Sequence, residues 1–278
     1  MQAKRTILGM ELRTAALMAL QVPEPAEKAA AARALHPQHH PGLLDVDHPQ
    51  LDPALPLSFE GPLPGRTERP RLVDPREVQA RTPFTREGRA ALLHAVAHIE
   101  LNAINLALDA VWRFPGMPRA YYADWLRVAA EEALHFSLLT EHLATLSCQY
   151  GDHPAHDGLW AMTARTAGDI TARMALVPRT LEARGLDATP PMQARLRQAG
   201  DLRAVEILDV ILRDEIGHVA IGNHWYRWLC AREGLDPVAH YAVLAERHRA
   251  PKLRGPFNLE ARSAAGFSDS ELSALGKA

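Results

Sequence analysis

Two Glu-x-x-His motifs, Glu132–His135 and Glu215–His218, constrain the possible folds of this chain more than any other feature of its sequence. Each lies within a long stretch of helical pattern, and residues three apart project from the same face of a helix. Each motif therefore presents a carboxylate and an imidazole in one direction. A single motif of this kind arises readily by chance. Two of them on different long helices favour a metal site inside a helical bundle.

The side chains one helical turn from both motif glutamates are apolar. They are Val128, Ala129 and Phe136 around Glu132, and Ile211, Leu212 and Val219 around Glu215. An uncompensated carboxylate in such surroundings costs several kcal/mol or takes up a proton. The pattern therefore indicates a bound cation. The alternative is a Glu–His hydrogen-bonded network without metal, which repulsion among the carboxylates opposes.

A bundle site of this type needs one more glutamate from each of two other helices. Glu100 is the candidate on the first long helix, because apolar residues flank it as well. On the third helix the candidates are Asp169 and Glu182. Glu182 is favoured because it precedes Glu215 by 33 residues, much as Glu100 precedes Glu132 by 32. A surface position is the alternative for Glu182.

The rest of the sequence predicts an all-α fold. Nine prolines between residues 41 and 83 predict an extended arm, preceded by short helices over 11–20 and 25–35. Long helices are expected over 85–113, with Thr85 as its N-cap, and over 118–151, 157–184 and 201–230, the third of them bent by Pro178 and closed by Gly185. Shorter helices are expected over 191–199, over 236–248 with Asp236 as its N-cap, and after a capping box at Ser268–Glu271. We thus predict an N-terminal extension (1–84), a four-helix bundle (85–230) and a C-terminal helical extension (231–278).

Composition excludes several classes of protein. The formal net charge is -2, so no global field favours a nucleic acid or an anionic membrane. Five arginines between Arg66 and Arg81 have acidic residues among them and no aromatic platform, which also argues against nucleic acid. We find no run of about 18 apolar residues that would span a bilayer, and we expect a cytoplasmic location. Cys148 and Cys230 are expected to be reduced and buried.

In order along the chain, Glu100, Glu132-x-x-His135, Glu182 and Glu215-x-x-His218 resemble the ligand set of the ferritin-like di-iron carboxylate superfamily. The resemblance covers about residues 86–230 and implies a ferritin-like four-helix bundle. The stretches Glu131–Phe136, Arg213–Ala220 and Gly255–Arg262 more narrowly resemble a bacterial ferritin-like family of unassigned function. That family implies a fold and a metal but no substrate.

Carboxylates and imidazoles without thiolate suit two iron ions, with manganese or a mixed iron–manganese pair as alternatives. We expect an O2-dependent hydroxylase, monooxygenase or oxidase that acts on a small organic molecule with an electron donor. Ala97, Ala103, Ala129 and Gly222 would leave room for that substrate. The alternatives are a ferroxidase for iron handling, a non-catalytic bundle stabilised by metal, and a tRNA-modifying hydroxylase. A homodimer is left open.

Three further side chains have a functional and a structural interpretation. His94 and His98 have the i, i+4 spacing of a metal pair, but they do not share the face of Glu100. They are therefore expected to be hydrogen-bond donors to the metal ligands or surface groups. Tyr121 lies three helical turns before Glu132 and would line an access channel or pack in the core. Core packing is the favoured role for Tyr121.

Overall fold

The computed structural model of the protein describes residues 9–78 and 82–275. Their regular secondary structure is helical, apart from an isolated β-bridge between Leu72 and Ala155. The predicted all-α class is therefore confirmed. The chain forms two compact units, residues 1–160 and 161–278. The predicted boundaries at residues 84 and 230 stay predictions, and Arg81 of the arginine-rich tract lies outside the described residues.

The described residues of the first unit form two short and two long helices before the boundary region. They are α1 (Leu12–Gln21), α2 (Pro25–Ala34), α3 (Arg86–Arg113) and α4 (Arg119–Thr145), with short 3-10 turns at Pro37–His39 and Pro75–Glu77. The predicted cap of α3 is present, because the Thr85 hydroxyl accepts a hydrogen bond from the Gly88 amide at 3.1 Å. The long helices α3 and α4 pack together, α1 packs on α3, and α2 packs on α4.

A buried arginine fixes the N-terminal helices to this core. Arg13 donates to the carbonyl oxygens of Trp112 at 2.8 Å and Val111 at 3.3 Å, in the last turn of α3. It also donates to Leu55 in the proline-rich arm at 2.6 Å. The last carbonyls of a helix lack partners within the helix and carry partial negative charge, so a guanidinium stabilises them. Arg13 thus joins α1, α3 and the arm.

Helix α4 ends at Thr145, six residues before the predicted end at Gly151. Ser147 adopts a left-handed conformation with φ of 58°. The Ser147 amide donates to Ala144 at 3.0 Å, and the Cys148 amide donates to Leu143 at 3.1 Å. This is the hydrogen-bond pattern of a Schellman ending. The sequence did not reveal it because serine, not glycine, occupies the left-handed position.

The second unit holds the remaining helices, and α5 contains the boundary between the units. They are α5 (Gly158–Arg165), α6 (Ile170–Leu176), a π-helical segment (Val177–Glu182), α7 (Ala183–Gln198), α8 (Leu202–Glu233), α9 (Pro237–Arg247), α10 (Leu259–Ala264) and α11 (Asp269–Leu275). Helix α8 is the longest element and packs on α6, the π-helical segment and α7.

The predicted third helix over 157–184 was wrong in two respects. It is interrupted before Asp169, whose carboxylate caps α6 by accepting from the Ala172 amide at 2.8 Å. It does not end at Gly185, because α7 continues through Gly185 and the predicted 191–199 piece to Gln198. The bend expected at Pro178 is a π-helical segment, since proline lacks the amide hydrogen that the regular helix needs.

Close packing at Pro178 removes the room that Gly222 was expected to leave. A Cβ atom at Gly222 would lie 2.6 Å from Cβ of Pro178 and 2.7 Å from its Cγ. The proline ring therefore occupies the space beside this glycine. Gly222 allows α8 to approach the π-helical segment and does not provide a substrate cavity.

The C-terminal helices are fastened by buried polar groups. Arg262 forms two hydrogen bonds to Asp187 at 2.6 and 2.9 Å and also donates to the carbonyl of Ala183. The predicted capping box is present at α11, where the Ser268 amide donates to Glu271 at 2.8 Å and the Glu271 amide donates to Ser268 at 3.4 Å. The 255–262 stretch thus connects α10 to α7.

Two further predictions concern the state of the cysteines and a possible membrane-spanning segment. Cys148 and Cys230 are free thiols and both are buried, as expected. The expectation that no segment could span a bilayer was wrong by length and composition, because α3 is long and apolar enough. Buried positions make up 78% of its most apolar stretch, however, as in the core helix of a folded domain. The expected location in the cytoplasm stays a prediction.

Candidate metal centre

Helix α3 places Glu100 in the core of the first unit. Its helical neighbours Ala97, Ala103 and Ile104 are almost completely buried, and Glu100 is buried with them. The carboxylate therefore points away from water although no lysine or arginine lies within one helical turn of it in the sequence. This is the environment that the apolar flanks predicted.

Helix α4 adds Glu132 and His135 to the same place. Nδ1 of His135 lies 3.1 Å from Oε2 of Glu100 and 3.2 Å from Oε2 of Glu132. Glu132 and His135 have no exposed surface. The nearest ligand atoms of these three residues lie within 4.8 Å of one another. The first motif and Glu100 therefore form one buried cluster that could hold a metal ion.

Burial and the neighbouring carboxylate set the charge of this cluster. Loss of water raises the pKa of Glu100 well above its usual value of 4.5, and the nearby carboxylate of Glu132 raises it further. The hydrogen bond with His135 acts in the opposite direction and is the weaker effect. Two carboxylates that oppose each other's ionisation are a favourable place for a cation, because a metal ion stabilises both charged forms. Carboxylate oxygens with imidazole nitrogen also fit the preferences of iron and manganese.

The second unit positions the second motif on α8 and Glu182 at the end of the π-helical segment. His218 is completely buried, and Glu215 and Glu182 are each 7% exposed. Nδ1 of His218 lies 3.9 Å from Oε1 of Glu215, so both side chains project from one face of α8. Among the described residues of this unit, Glu182 does not form a group of three close ligand atoms with Glu215 and His218. Its role as a ligand stays a prediction.

His94 and His98 belong to a different buried network. The Asn102 side chain donates to Nε2 of His98 at 3.0 Å, and Nδ1 of His98 bonds the Tyr150 hydroxyl at 2.7 Å. The Gly151 amide donates to Nε2 of His94 at 2.9 Å. Burial lowers the pKa of His98 to about 3 and that of His94 to about 4, so both are neutral. Both histidines are buried, so the expectation that they could be surface groups was wrong.

Tyr121 packs in the core of the first unit. It has no exposed surface, and its hydroxyl donates to the carbonyl of Ala110 at 3.2 Å. A hydroxyl that binds a helix carbonyl is held in place by the protein itself. The contacts therefore favour the packing role over an access channel.

Lys28 is a buried polar residue that sequence reasoning missed. Its Nζ donates to Oδ1 of Asn105 at 2.7 Å and to the carbonyl of Gly65 at 2.8 Å. Desolvation, aided by the positive charge of Arg66, lowers the pKa of Lys28 to about 7. A neutral amine has two hydrogens, which match these two acceptors. The alanine-rich sequence of α2 gave no signal, because both partners are distant along the chain.

Comparison with known proteins gives a family without an assigned activity. The family model described as “Protein of unknown function (DUF455)” matches residues 21–273. A protein of Haemophilus influenzae that carries the name “Uncharacterized protein” is 56% identical over 212 residues, which cover 74% of each chain. No solved structure matches the chain. Since the family model spans nearly the whole sequence, the chain belongs to the DUF455 family of proteins of unknown function.

Proposed function

We propose that this protein is a di-metal carboxylate protein in which a ferritin-like arrangement of helices holds two ions, iron in preference to manganese. The ligands would be Glu100, Glu132 and His135 from the first unit and Glu182, Glu215 and His218 from the second. One observation carries the proposal: the buried cluster of Glu100, Glu132 and His135 contains two carboxylates in contact with one imidazole. Two ions would neutralise the four glutamates and leave the imidazoles neutral.

The reaction that this centre supports best is an O2-dependent oxidation of a small organic molecule. When bound, a pair of redox-active ions with open coordination positions would supply two electrons to O2. The protein itself would exclude water through the apolar residues beside Glu100 and Glu132. His135 would be held beside the ions by the packing that buries it, with both carboxylates in contact with its Nδ1. An electron donor is part of the proposal.

A non-catalytic, metal-stabilised bundle is the second candidate, and one observation favours it. The site of Gly222, one of the positions expected to leave room for substrate, is filled by Pro178. Iron storage is less favoured, because about 84 residues precede the proposed bundle and about 48 follow it. Storage cages need compact subunits that tile. A tRNA-modifying hydroxylase would require an RNA surface, for which the net charge of -2 gives no support.

The proposal is tested by metal content and O2 uptake. The metal content of protein purified under reducing conditions would be measured by inductively coupled plasma mass spectrometry. The protein would then be loaded with ferrous iron under anaerobic conditions and mixed with O2, and O2 consumption would be followed with an oxygen electrode. We expect two ions per chain and O2 consumption that depends on iron. Glu132→Ala and Glu215→Ala should each abolish both. Glu131→Ala, which alters the neighbouring carboxylate on the same helix, should change neither.

The outcomes separate the candidates. Iron bound at two per chain without O2 uptake would favour the metal-stabilised bundle. Large assemblies with many ions per chain would restore iron storage. Protein that binds neither iron nor manganese after anaerobic loading would overturn the metal assignment altogether.

A further inference from the structure

The second unit contains a pocket of about 590 Å³ that the metal proposal does not use. It lies between the π-helical segment, α9, the 250–253 loop and α11. Val238, Ala245, Leu253 and Phe267 form much of its wall, and Arg179 contributes a buried cation. We propose that this pocket binds a small organic carboxylate with an apolar body, the carboxylate accepting a hydrogen bond from Arg179.

The size and lining of the pocket match those of small-molecule sites. Such sites typically occupy about 300 to 1,000 Å³, with mostly apolar walls and a few polar groups that orient the ligand. Three alanines, Ala245, Ala250 and Ala274, lie among the lining residues and keep the space open. An aromatic or alicyclic body of about ten carbon atoms would bury its surface there.

Arg179 is the polar group that selects the ligand. It is only 5% exposed, and three aromatic rings surround it, with centroids 5.2 Å (Tyr226), 4.8 Å (Tyr241) and 5.0 Å (Phe267) from its guanidinium carbon. A terminal nitrogen pairs with Glu271. Its Nε–H has no acceptor among the residues that the structure describes. A buried donor without an acceptor is unfavourable, so the guanidinium keeps hydrogen-bonding capacity that its protein partners do not use.

The charge balance around Arg179 favours an anion over a cation. Glu271 is shared, because it also pairs with Arg227 at 3.0 Å. One carboxylate therefore faces two guanidinium groups. At the solvent-exposed rim, Glu246 and Lys252 carry opposite charges. Arg227 lies outside the pocket lining, so Glu271 is only partly committed to Arg179, and an organic carboxylate would complete the charge compensation of the buried guanidinium. Arginine also binds carboxylates more favourably than a point charge does, because its donors match their geometry.

The test uses two probes of nearly equal shape and different charge. Binding of 4-phenylbutanoate and of its uncharged amide, 4-phenylbutanamide, would be measured by titration calorimetry on the full chain after chelator treatment, which makes the result independent of any metal. We expect saturable binding of the carboxylate at one per chain. We expect the amide to bind at least about 10-fold more weakly, since hydrogen bonds to charged groups contribute at least that much.

Two variants and one matched control test where the ligand binds. Ala245→Trp places an indole in the pocket and should weaken binding of 4-phenylbutanoate at least about 10-fold. Ala242→Trp is the matched control on the exposed face of the same helix and should leave binding unchanged. Arg179→Lys keeps a positive charge but loses the Nε–H, and should reduce the preference for carboxylate over amide at least about threefold. Thermal melts would establish that each variant is folded.

Any one of three results would overturn the proposal. The first is equal affinity for the carboxylate and the amide, because Arg179 would then not select the ligand. The second is tight binding of 4-phenylbutanoate that persists in folded Ala245→Trp, because the ligand would then lie elsewhere. Absence of any binding by the unmodified chain would likewise reject a site for this class of ligand.

Discussion

The ionisation of Glu100 makes the free energy of unfolding of the metal-free protein depend on pH in a characteristic way. Burial and Glu132 raise the pKa of Glu100 above its usual value of 4.5. The folded state therefore binds a proton that the unfolded state releases above about pH 4.5. In chelator-treated protein, this residue should lower the free energy of unfolding progressively as the pH rises from 4.5 toward its raised pKa. Urea unfolding between pH 5 and 8 measures this.

Glu100→Gln isolates the contribution of that proton. Glutamine keeps the shape and one carbonyl oxygen but cannot ionise, so the variant should lose less stability than the unmodified chain over the same pH range. Carboxylates outside the cluster titrate equally in both proteins and cancel, so the difference reports Glu100 together with its coupling to Glu132 and His135. Parallel pH profiles for the two proteins would show that Glu100 ionises normally, and the electrostatic picture of the cluster would be wrong.

The buried amine of Lys28, in another part of the first unit, should make the free energy of unfolding change with pH in the opposite direction. Because burial lowers its pKa to about 7, the unfolded state binds more protons than the folded state between pH 7 and 10.5. The cost of burying this lysine is fully present below pH 7 and disappears as the pH rises to 10.5. Over that window the unmodified chain should gain roughly 3 to 5 kcal/mol relative to Lys28→Met.

The comparison with Lys28→Met also removes interfering groups. Burial raises the pKa of Tyr150 and of both cysteines, and these groups act in the opposite direction at high pH. They are present in both proteins, so the difference in unfolding free energy reports Lys28 alone. A difference that stays constant from pH 7 to 10.5 would contradict a neutral lysine.

At the scale of elements, the contact between α8 and the π-helical segment depends on one glycine. Gly222→Ala would force a methyl group against the Pro178 ring, and such overpacking typically costs about 1 to 3 kcal/mol. Gly217→Ala is the matched control, because no atom lies within 4 Å of the added Cβ on the same helix. It should stabilise the protein by up to about 1 kcal/mol, since alanine is the better helix former.

Chemical denaturation of the two variants measures the difference between them. Gly222→Ala should unfold at a lower urea concentration than the unmodified chain, and Gly217→Ala at an equal or higher one. If both substitutions stabilised the protein to the same extent, the helix and the proline ring would not be in close contact. The interpretation of Gly222 as a packing glycine would then fail.

The sequence predicted those helix ends that depend on local chemistry. Thr85, Asp236 and the Ser268–Glu271 capping box act through hydrogen bonds within one turn, and the structure contains all three. The sequence could not predict where α4 ends or that α7 continues through Gly185. Those outcomes depend on a serine in a left-handed conformation and on packing against α8, which are not encoded within a few residues.

Like the helix ends, the candidate site was predictable from sequence only where it depends on residues within one or two helical turns. Apolar flanks correctly predicted that Glu100, Glu132 and Glu215 are buried, because a helix places its neighbours at known angles. The i+3 spacing also predicted that each histidine accompanies its glutamate. The pattern could not predict the buried amine of Lys28 or the stacked guanidinium of Arg179. Their partners are brought to them by the tertiary fold.

At the scale of the whole molecule, the proposal makes the two motifs interdependent. One motif lies in each compact unit, at Glu132–His135 and at Glu215–His218. If both hold the same pair of ions, removing either histidine should weaken binding of both ions. If each motif binds its own ion, a variant that lacks one histidine should lose one ion and keep the other. The stoichiometry of the variants therefore distinguishes a shared centre from two separate sites.

Mn²⁺ is a suitable probe for the unfolding measurements because, unlike ferrous iron, it does not react readily with O2 in neutral buffer. A ligand that binds only the folded state stabilises it by about 2.7 kcal/mol for each site at 100 times its dissociation constant. The unfolding free energy of the unmodified chain should therefore rise with the logarithm of Mn²⁺ concentration with a slope that corresponds to two ions. His135→Ala and His218→Ala should each reduce that slope to near zero, and the double variant should be no worse. His224→Ala, an exposed histidine on the same helix as His218, should retain the full slope. Slopes of one ion in each single variant would show that the motifs bind metal independently and would reject a shared di-metal centre.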